Sequence, residues 1–324
     1  MTPNLSRLAG AYVFFIGACL GSFLNVVIAR VPAGRSVISP GSSCPRCGKL
    51  IAWYDNLPVL SWLLLRARCR NCELPISARY PIVELLTAFL LFAIWRRFGA
   101  VPAALGYGAF TCALIALTYI DIDTWLLPHE ITWPLLAVGL VSPLWNADLT
   151  WPAAGIGAAA GFAAFAAIAL VGEKLLHKET MGWGDVWLLA GIGAWLGWQA
   201  LLPVVVLSSL QGALVGIVLL VAGRGPAEKA RAEREAAIAA GTRNAPDPMG
   251  AGPADAHRPV DARGAEGTLG PEDALGPPSD EEDWIPPPHA VPFGPFLALA
   301  ALEVLLAQDA IFGFYFSVVQ KMFS

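Results

Sequence analysis

The chain carries repeated apolar stretches about 15 to 28 residues long, and that length most restricts the folds open to it. A helix rises about 1.5 Å per residue, so about 20 apolar residues cross the roughly 30 Å hydrocarbon core of a bilayer. Eight such stretches are read at 8–28, 81–95, 101–120, 131–145, 152–172, 185–200, 201–222 and 292–319, the second and fourth being short. Composition agrees. Of 324 residues 56% are hydrophobic and only 14% charged, against about a quarter charged in soluble domains, so polar side chains cannot cover the surface. The expected fold is an all-α polytopic membrane protein of about eight transmembrane helices, with the lipid bilayer as a partner. A formal net charge of -4 argues against nucleic acid as another.

Basic residues sort between the loops. Of the 21 Lys and Arg, 17 fall between the first two stretches, just before the sixth, or after the seventh; Arg7, Arg96, Arg97 and Lys321 lie on the other side. The positive-inside rule therefore puts the 31–80 loop in the cytoplasm and both termini away from it. A cleaved signal peptide competes for the first stretch, but most of the basic charge follows the apolar run rather than preceding it. The organisation read from these features is a first transmembrane helix over 1–30, a cysteine-rich cytoplasmic loop over 31–80, a transmembrane core over 81–222, an insert over 223–288 and a last helix over 289–324. The insert is rich in Ala, Gly, Pro, Asp and Glu with almost no aromatics. It is expected to be a disordered cytoplasmic segment, apart from a helix at 224–240 suggested by its Ala, Glu and Arg content.

Four of the six cysteines form a set: Cys44-x-x-Cys47 and Cys69-x-x-Cys72, separated by 21 residues. Two such knuckles bring four thiolates around Zn²⁺ at a spacing close to that of zinc ribbons. A cytoplasmic setting disfavours disulfides, although two redox dithiols or an inert set are competing readings. Four thiolates leave no open coordination position, so the metal's expected role is structural. Cys19 and Cys112 lie in apolar runs and read as small core residues. The apolar residues between the knuckles, Trp53 to Leu63, read as a small core or a membrane contact.

Ionisable residues in or beside membrane spans are costly and are candidates for function. Asp121 closes the third stretch in Ile120-Asp121-Ile122-Asp123, and Asp185 opens the sixth in Gly182-Trp183-Gly184-Asp185. Counting spans places both at the cytoplasmic face, where a carboxyl pair sharing one proton could activate water and polarise a peptide carbonyl. The helix dipoles differ at the two positions, a C-terminus for Asp121 and an N-terminus for Asp185, and on that ground alone the shared proton is expected on Asp121. Asp121 and Asp123 lie about 200° apart around a helix and cannot both face one site. Asp123 is then read as a cap or a water-facing group. Read blandly, Asp185 is an N-cap and Asp121 a solvated helix end. Glu84 and Asn25 read either as site-lining groups or as interhelical hydrogen-bond partners, and Glu303 as a packed acid or a cavity residue.

At these residues the chain resembles the type IV prepilin peptidases, which are GxGD membrane aspartyl proteases. The resemblance is carried by Gly182-x-Gly184-Asp185, by Asp121 with the following Leu127-Pro128, by Gly21-Ser22-Phe23-Leu24-Asn25, by the knuckles, by Arg79-Tyr80-Pro81-Ile82-Val83-Glu84, and by Pro292-Phe293-Gly294-Pro295-Phe296. It covers nearly the whole chain outside the insert. It implies a peptidase core that removes the basic leader of prepilins or pseudopilins of type IV pili or type II secretion, after a glycine, at the cytoplasmic side of the bacterial inner membrane. It also implies N-methylation of the new N-terminus from S-adenosylmethionine, with a cysteine-rich loop. It assigns catalysis to Asp121 and Asp185, Asp121 being chosen over Asp123 by the separation of 64 residues. Two positions depart from the family pattern: His129 stands where Asp is usual, and Ala67 where glycine is common. The competing functions are an ion-coupled membrane transporter, disfavoured because the aspartates sit at span ends rather than near the midplane, and a zinc-ribbon membrane scaffold.

Overall fold

The computed structural model describes residues 3–44, 47–177, 181–221 and 291–323. The chain divides into two units, 1–215 with 291–324, and 216–290. Of the second, only 216–221, the end of one helix, is described. The insert expected at 223–288, with its helix at 224–240, lies outside the described residues.

The described residues form nine α-helices: α1 Pro3–Arg30, α2 Leu60–Leu64, α3 Arg79–Phe98, α4 Pro102–Thr124, α5 His129–Val141, α6 Trp151–Leu176, α7 Trp183–Leu196, α8 Leu201–Val221 and α9 Gly294–Phe323. No strand occurs among them; two isolated bridges, Ser43 with Leu50 and Arg68 with Pro75, bracket the two cysteine knuckles. Each of the eight apolar stretches contains an α-helix, those at 131–145 and 185–200 passing from it into a 3-10 turn. Five regions have the length and hydropathy to cross a membrane: Ser6–Arg30, Pro102–Thr124, Trp151–Leu175, Trp198–Val221 and Gly294–Ile311. Of the eight expected transmembrane helices, two of them read as short, α3, α5 and α7 fall outside this set of five. The 13 residues of α5 and 14 of α7 rise only about 20 Å, and α3 carries Arg79, Glu84, Arg96 and Arg97 within its 20 residues.

Glycines set how closely the helices approach. Gly17 and Gly21 of α1 form a small-xxx-small seam against α3. A Cβ on Gly17 would stand 2.7 Å from the Ala88 Cα, and one on Gly21 2.6 Å from the Glu84 Cα. Gly157 of α6 and Gly193 of α7 face each other so closely that a Cβ on either would enter the other's carbonyl. Trp195 of α7 donates its indole N–H to the Leu135 carbonyl of α5 at 2.8 Å. The buried core runs through α4, α7 and α9, with Phe110, Leu114, Leu117, Leu188, Ile192 and Leu297 among its members. By contrast α8 shows most of its apolar side chains outward, as a lipid-facing helix must. It is tied to α9 by Gln211, whose amide donates to Glu303 at 2.7 Å; of the two readings of Glu303, this pair favours the packed acid.

The contacts also fix which ends meet. Asn25 near the end of α1 donates to the Tyr80 carbonyl at the start of α3, and Arg79 at that start reaches the end of α4. Arg97, at the other end of α3, pairs with Asp309 far along α9. The end of α1, the start of α3 and the end of α4 therefore share one end of the bundle, and Arg96 and Arg97 stand at the other, as the basic-residue pattern anticipates.

Candidate active site

Asp121 lies in the last turn of α4 and is buried. The helix stops three residues later because Trp125 takes a left-handed conformation and returns its N–H to the Asp121 carbonyl at 2.9 Å. The chain then runs through Leu126-Leu127-Pro128 into α5. Asp185 occupies the first turn of α7, its N–H bonded to the Gly182 carbonyl at 3.1 Å. The two carboxyl groups are near enough for their charges to act on each other. The structure thus brings together the two aspartates singled out from the sequence, at one end of the bundle.

Three further residues build the site. Leu127 packs on Gly184, where a Cβ would stand 2.7 Å from its own Cβ, and on Gly294, at 3.4 Å from its Cδ1. Gly294 opens α9 and lies directly on Asp121 Oδ2, donating its backbone N–H to that carboxyl group. Side chains at 184 or 294 would push this junction apart. Asp121 meets the N-terminus of α9 as well as the C-terminus of α4, and the α9 end opposes the α4 dipole on which the expectation of a proton on Asp121 rested. Asp185 Oδ1 is buried without a hydrogen-bond partner among the described residues. A buried carboxyl oxygen left unsatisfied in the fold is one that water or a ligand satisfies.

Asp123 has a different fate. Arg79 grips both its oxygens at 2.7 Å, donates to the Tyr119 carbonyl at 3.2 Å and lies 4.8 Å over the Tyr119 ring. The side chain of Asp123 is only 12% exposed. It is an ion-pair partner rather than a helix cap or a water-facing group. His129 begins α5 and stacks on Trp133, ring centroids 5.0 Å apart. Sequence reasoning quoted Gly294, Leu127 and Arg79 as motif residues without giving them roles. For Gly294 a usable signal existed: a glycine followed by proline at the start of an apolar run marks a helix N-terminus with free N–H groups.

The four knuckle cysteines converge. Their sulfurs all lie within 4.8 Å of one another, with Cys44 and Cys72 at 3.8 Å. Tetrahedral zinc–thiolate bonds of about 2.3 Å place sulfurs about 3.8 Å apart, whereas a disulfide needs about 2.05 Å; the donor set fits the metal. Both knuckles fold alike. Cys44 and Cys69 each donate N–H five residues ahead, to Lys49 and Leu74, and each accepts from the residue four ahead, Gly48 and Glu73, all at 2.9 Å. Backbone N–H groups of Cys72 and Asn71 directed at the Cys69 sulfur hold that thiol down to about 7, the environment of a thiolate ligand. Arg70 is bidentate to Asp55 and keeps that carboxyl below its ordinary range.

Glu84, buried at the junction of α1 and α3, accepts the Val59 N–H at 2.7 Å and has the Ser22 hydroxyl on its other side. It ties the cysteine-rich loop to the helices. Asn25, bonded to Tyr80, is likewise an interhelical partner.

A bundle with five membrane-length helices defines a multi-pass membrane protein, with Asp121 and Asp185 near each other at one end. Comparison with known proteins gives the family. Residues 15–98 match the Bacterial Peptidase A24 N-terminal domain, and residues 108–217 match the Type IV leader peptidase family. A prepilin leader peptidase/N-methyltransferase of Myxococcus xanthus (strain DK1622) is 42% identical over 323 residues, spanning 92% of this chain and 90% of the relative. One of Aeromonas hydrophila is 43% identical over 249 residues, 68% of this chain and 84% of the relative. One of Burkholderia pseudomallei (strain 1026b) is 38% identical over 239 residues, 66% and 77%. No solved structure matches. The chain belongs to the type IV leader peptidase family. Neither the transporter nor the scaffold reading finds support among these relatives.

Proposed function

We propose that this chain is a membrane aspartyl endopeptidase that removes the basic leader from prepilins or pseudopilins after a glycine, with Asp121 and Asp185 as its catalytic pair. The meeting of those two carboxyl groups, one with a buried oxygen left unpartnered, carries the reading. One carboxylate takes a proton from water as the water oxygen bonds to the scissile carbonyl carbon. The other, protonated, hydrogen-bonds the carbonyl oxygen as charge builds on it. The C–N bond then breaks and the proton passes to the leaving amine. The site stands at the cytoplasmic face of the bacterial inner membrane, where the basic loops are held.

The same chain N-methylates the new N-terminus, S-adenosylmethionine supplying the methyl group. Cys44, Cys47, Cys69 and Cys72 hold a structural Zn²⁺ that fixes the loop over 31–80. Purified protein mixed with a prepilin tests the peptidase on one gel. Cleavage falls roughly a thousandfold or more in Asp121→Ala and Asp185→Ala, the scale of losing a general acid or base, and persists in Asp123→Ala. Wild-type cleavage in either of the first two variants rejects the pair.

A further inference from the structure

Between α1 and the cysteine-rich loop lies a cavity of about 360 Å³, within the size range of small-ligand sites. Phe23, Val26 and Arg30, at helical spacing, form one wall with Ser22 beside them, and Asn56 and Pro58 of the loop face them. The cavity belongs to the same end of the bundle as the aspartates, since Asn25 of α1 bonds Tyr80, next to the Arg79 that grips Asp123.

Arg30 is the one charged residue among the described residues of its lining, and an acid lies just behind that lining. The guanidinium of Arg30 donates to the Ser36 carbonyl at 3.0 Å and the Gly41 carbonyl at 3.4 Å, which orients it and leaves further N–H groups to give. No carboxylate among the described residues pairs with it. Outside the lining, the Glu84 carboxylate sits behind Ser22 of the α1 wall and accepts the N–H of Val59, which follows Pro58. An acidic phospholipid would satisfy the arginine but meet the carboxylate unfavourably. A zwitterionic ligand with an apolar ring system suits both charges and the Phe23, Val26 and Pro58 surface.

S-adenosylmethionine is such a molecule: a carboxylate, an ammonium and a sulfonium joined to a purine nucleoside. Resting on the methyltransferase reading above, we infer that this cavity is the methyl-donor site. Arg30 would take the carboxylate, and the Ser22–Glu84 side would favour the cationic groups.

The test is calorimetric binding of S-adenosylhomocysteine, the demethylated donor, to the purified full chain and to Arg30→Gln and Val26→Trp, with thermal unfolding to check folding. Removing one charge-assisted contact, or filling the cavity, should weaken binding by roughly tenfold or more. Val26→Trp leaves both charges in place, so it decides the matter if Arg30→Gln unfolds. Parent-like affinity in a folded Val26→Trp overturns the assignment while leaving methylation intact. A parent protein that neither binds the compound nor methylates a cleaved substrate removes the methylation reading and the site with it. An acidic phospholipid that co-purifies with the parent, and is lost in Arg30→Gln while compound binding is unchanged, gives the cavity to lipid.

Discussion

Asp121 and Asp123 point about 200° apart around α4, and Arg79 takes both oxygens of the second. Choosing between them from sequence required a family separation; packing supplies the physical reason, since a carboxylate engaged twice by a guanidinium is poorly placed to exchange protons. Asp123→Asn should therefore retain leader cleavage while losing about 1–3 kcal/mol of stability, as for a charged hydrogen bond with a partly buried partner; thermal unfolding and the cleavage gel read the two effects separately. At Gly294 a methyl group would enter Asp121 Oδ2. Gly294→Ala should displace that carboxyl group and slow cleavage by roughly a hundredfold, the scale of an ångström's misplacement. Ala67 has φ +58 and follows Arg66 at φ +51, a left-handed conformation that costs any residue other than glycine. Ala67→Gly should stabilise the loop by about 1 kcal/mol, read as a higher unfolding midpoint.

At the scale of elements, the helices of the eight stretches were legible because each is a mostly apolar run, and the cysteine cluster because four cysteines at fixed spacing have few other uses. The identical hydrogen bonding of the two knuckles follows from their shared Cys-x-x-Cys turn. Less legible was whatever depends on two remote elements touching. Nothing local to Glu84 shows that it ends on the Val59 N–H, nor that Val59, a β-branched residue, is held at φ +60. Less legible too was where the short helices α5 and α7 stop, since hydropathy does not show it; their ends are set by Ser142 and Gly197. If four thiolates hold the loop together, metal analysis of reduced protein should find roughly one zinc per chain. Chelation should lower the unfolding midpoint, because metal-binding free energy in such sites is folding free energy. Protein free of zinc yet equally stable would contradict this.

For the molecule as a whole, the ordering of ends joins fold to function. The end of α4 and the starts of α3, α7 and α9 gather the acids, and the Glu84 tether joins the loop to the helices at the start of α3. That arrangement was partly legible: the alternation of spans already put Asp121 and Asp185 at one face, whereas the arrival of Gly294 required packing. The 223–288 segment reads from its composition as a linker, so removing 240–278 should leave leader cleavage at parent level on the same gel.

The central claim is that two aspartates 64 residues apart in sequence act as one catalytic unit, and initial cleavage rates of Asp121→Asn, Asp185→Asn and the double variant on a single prepilin test it most directly. Residues that act together are not additive, so the double variant should be no slower than the slower single one. Rate losses that multiply, or a single variant cleaving at the parent rate, would contradict it.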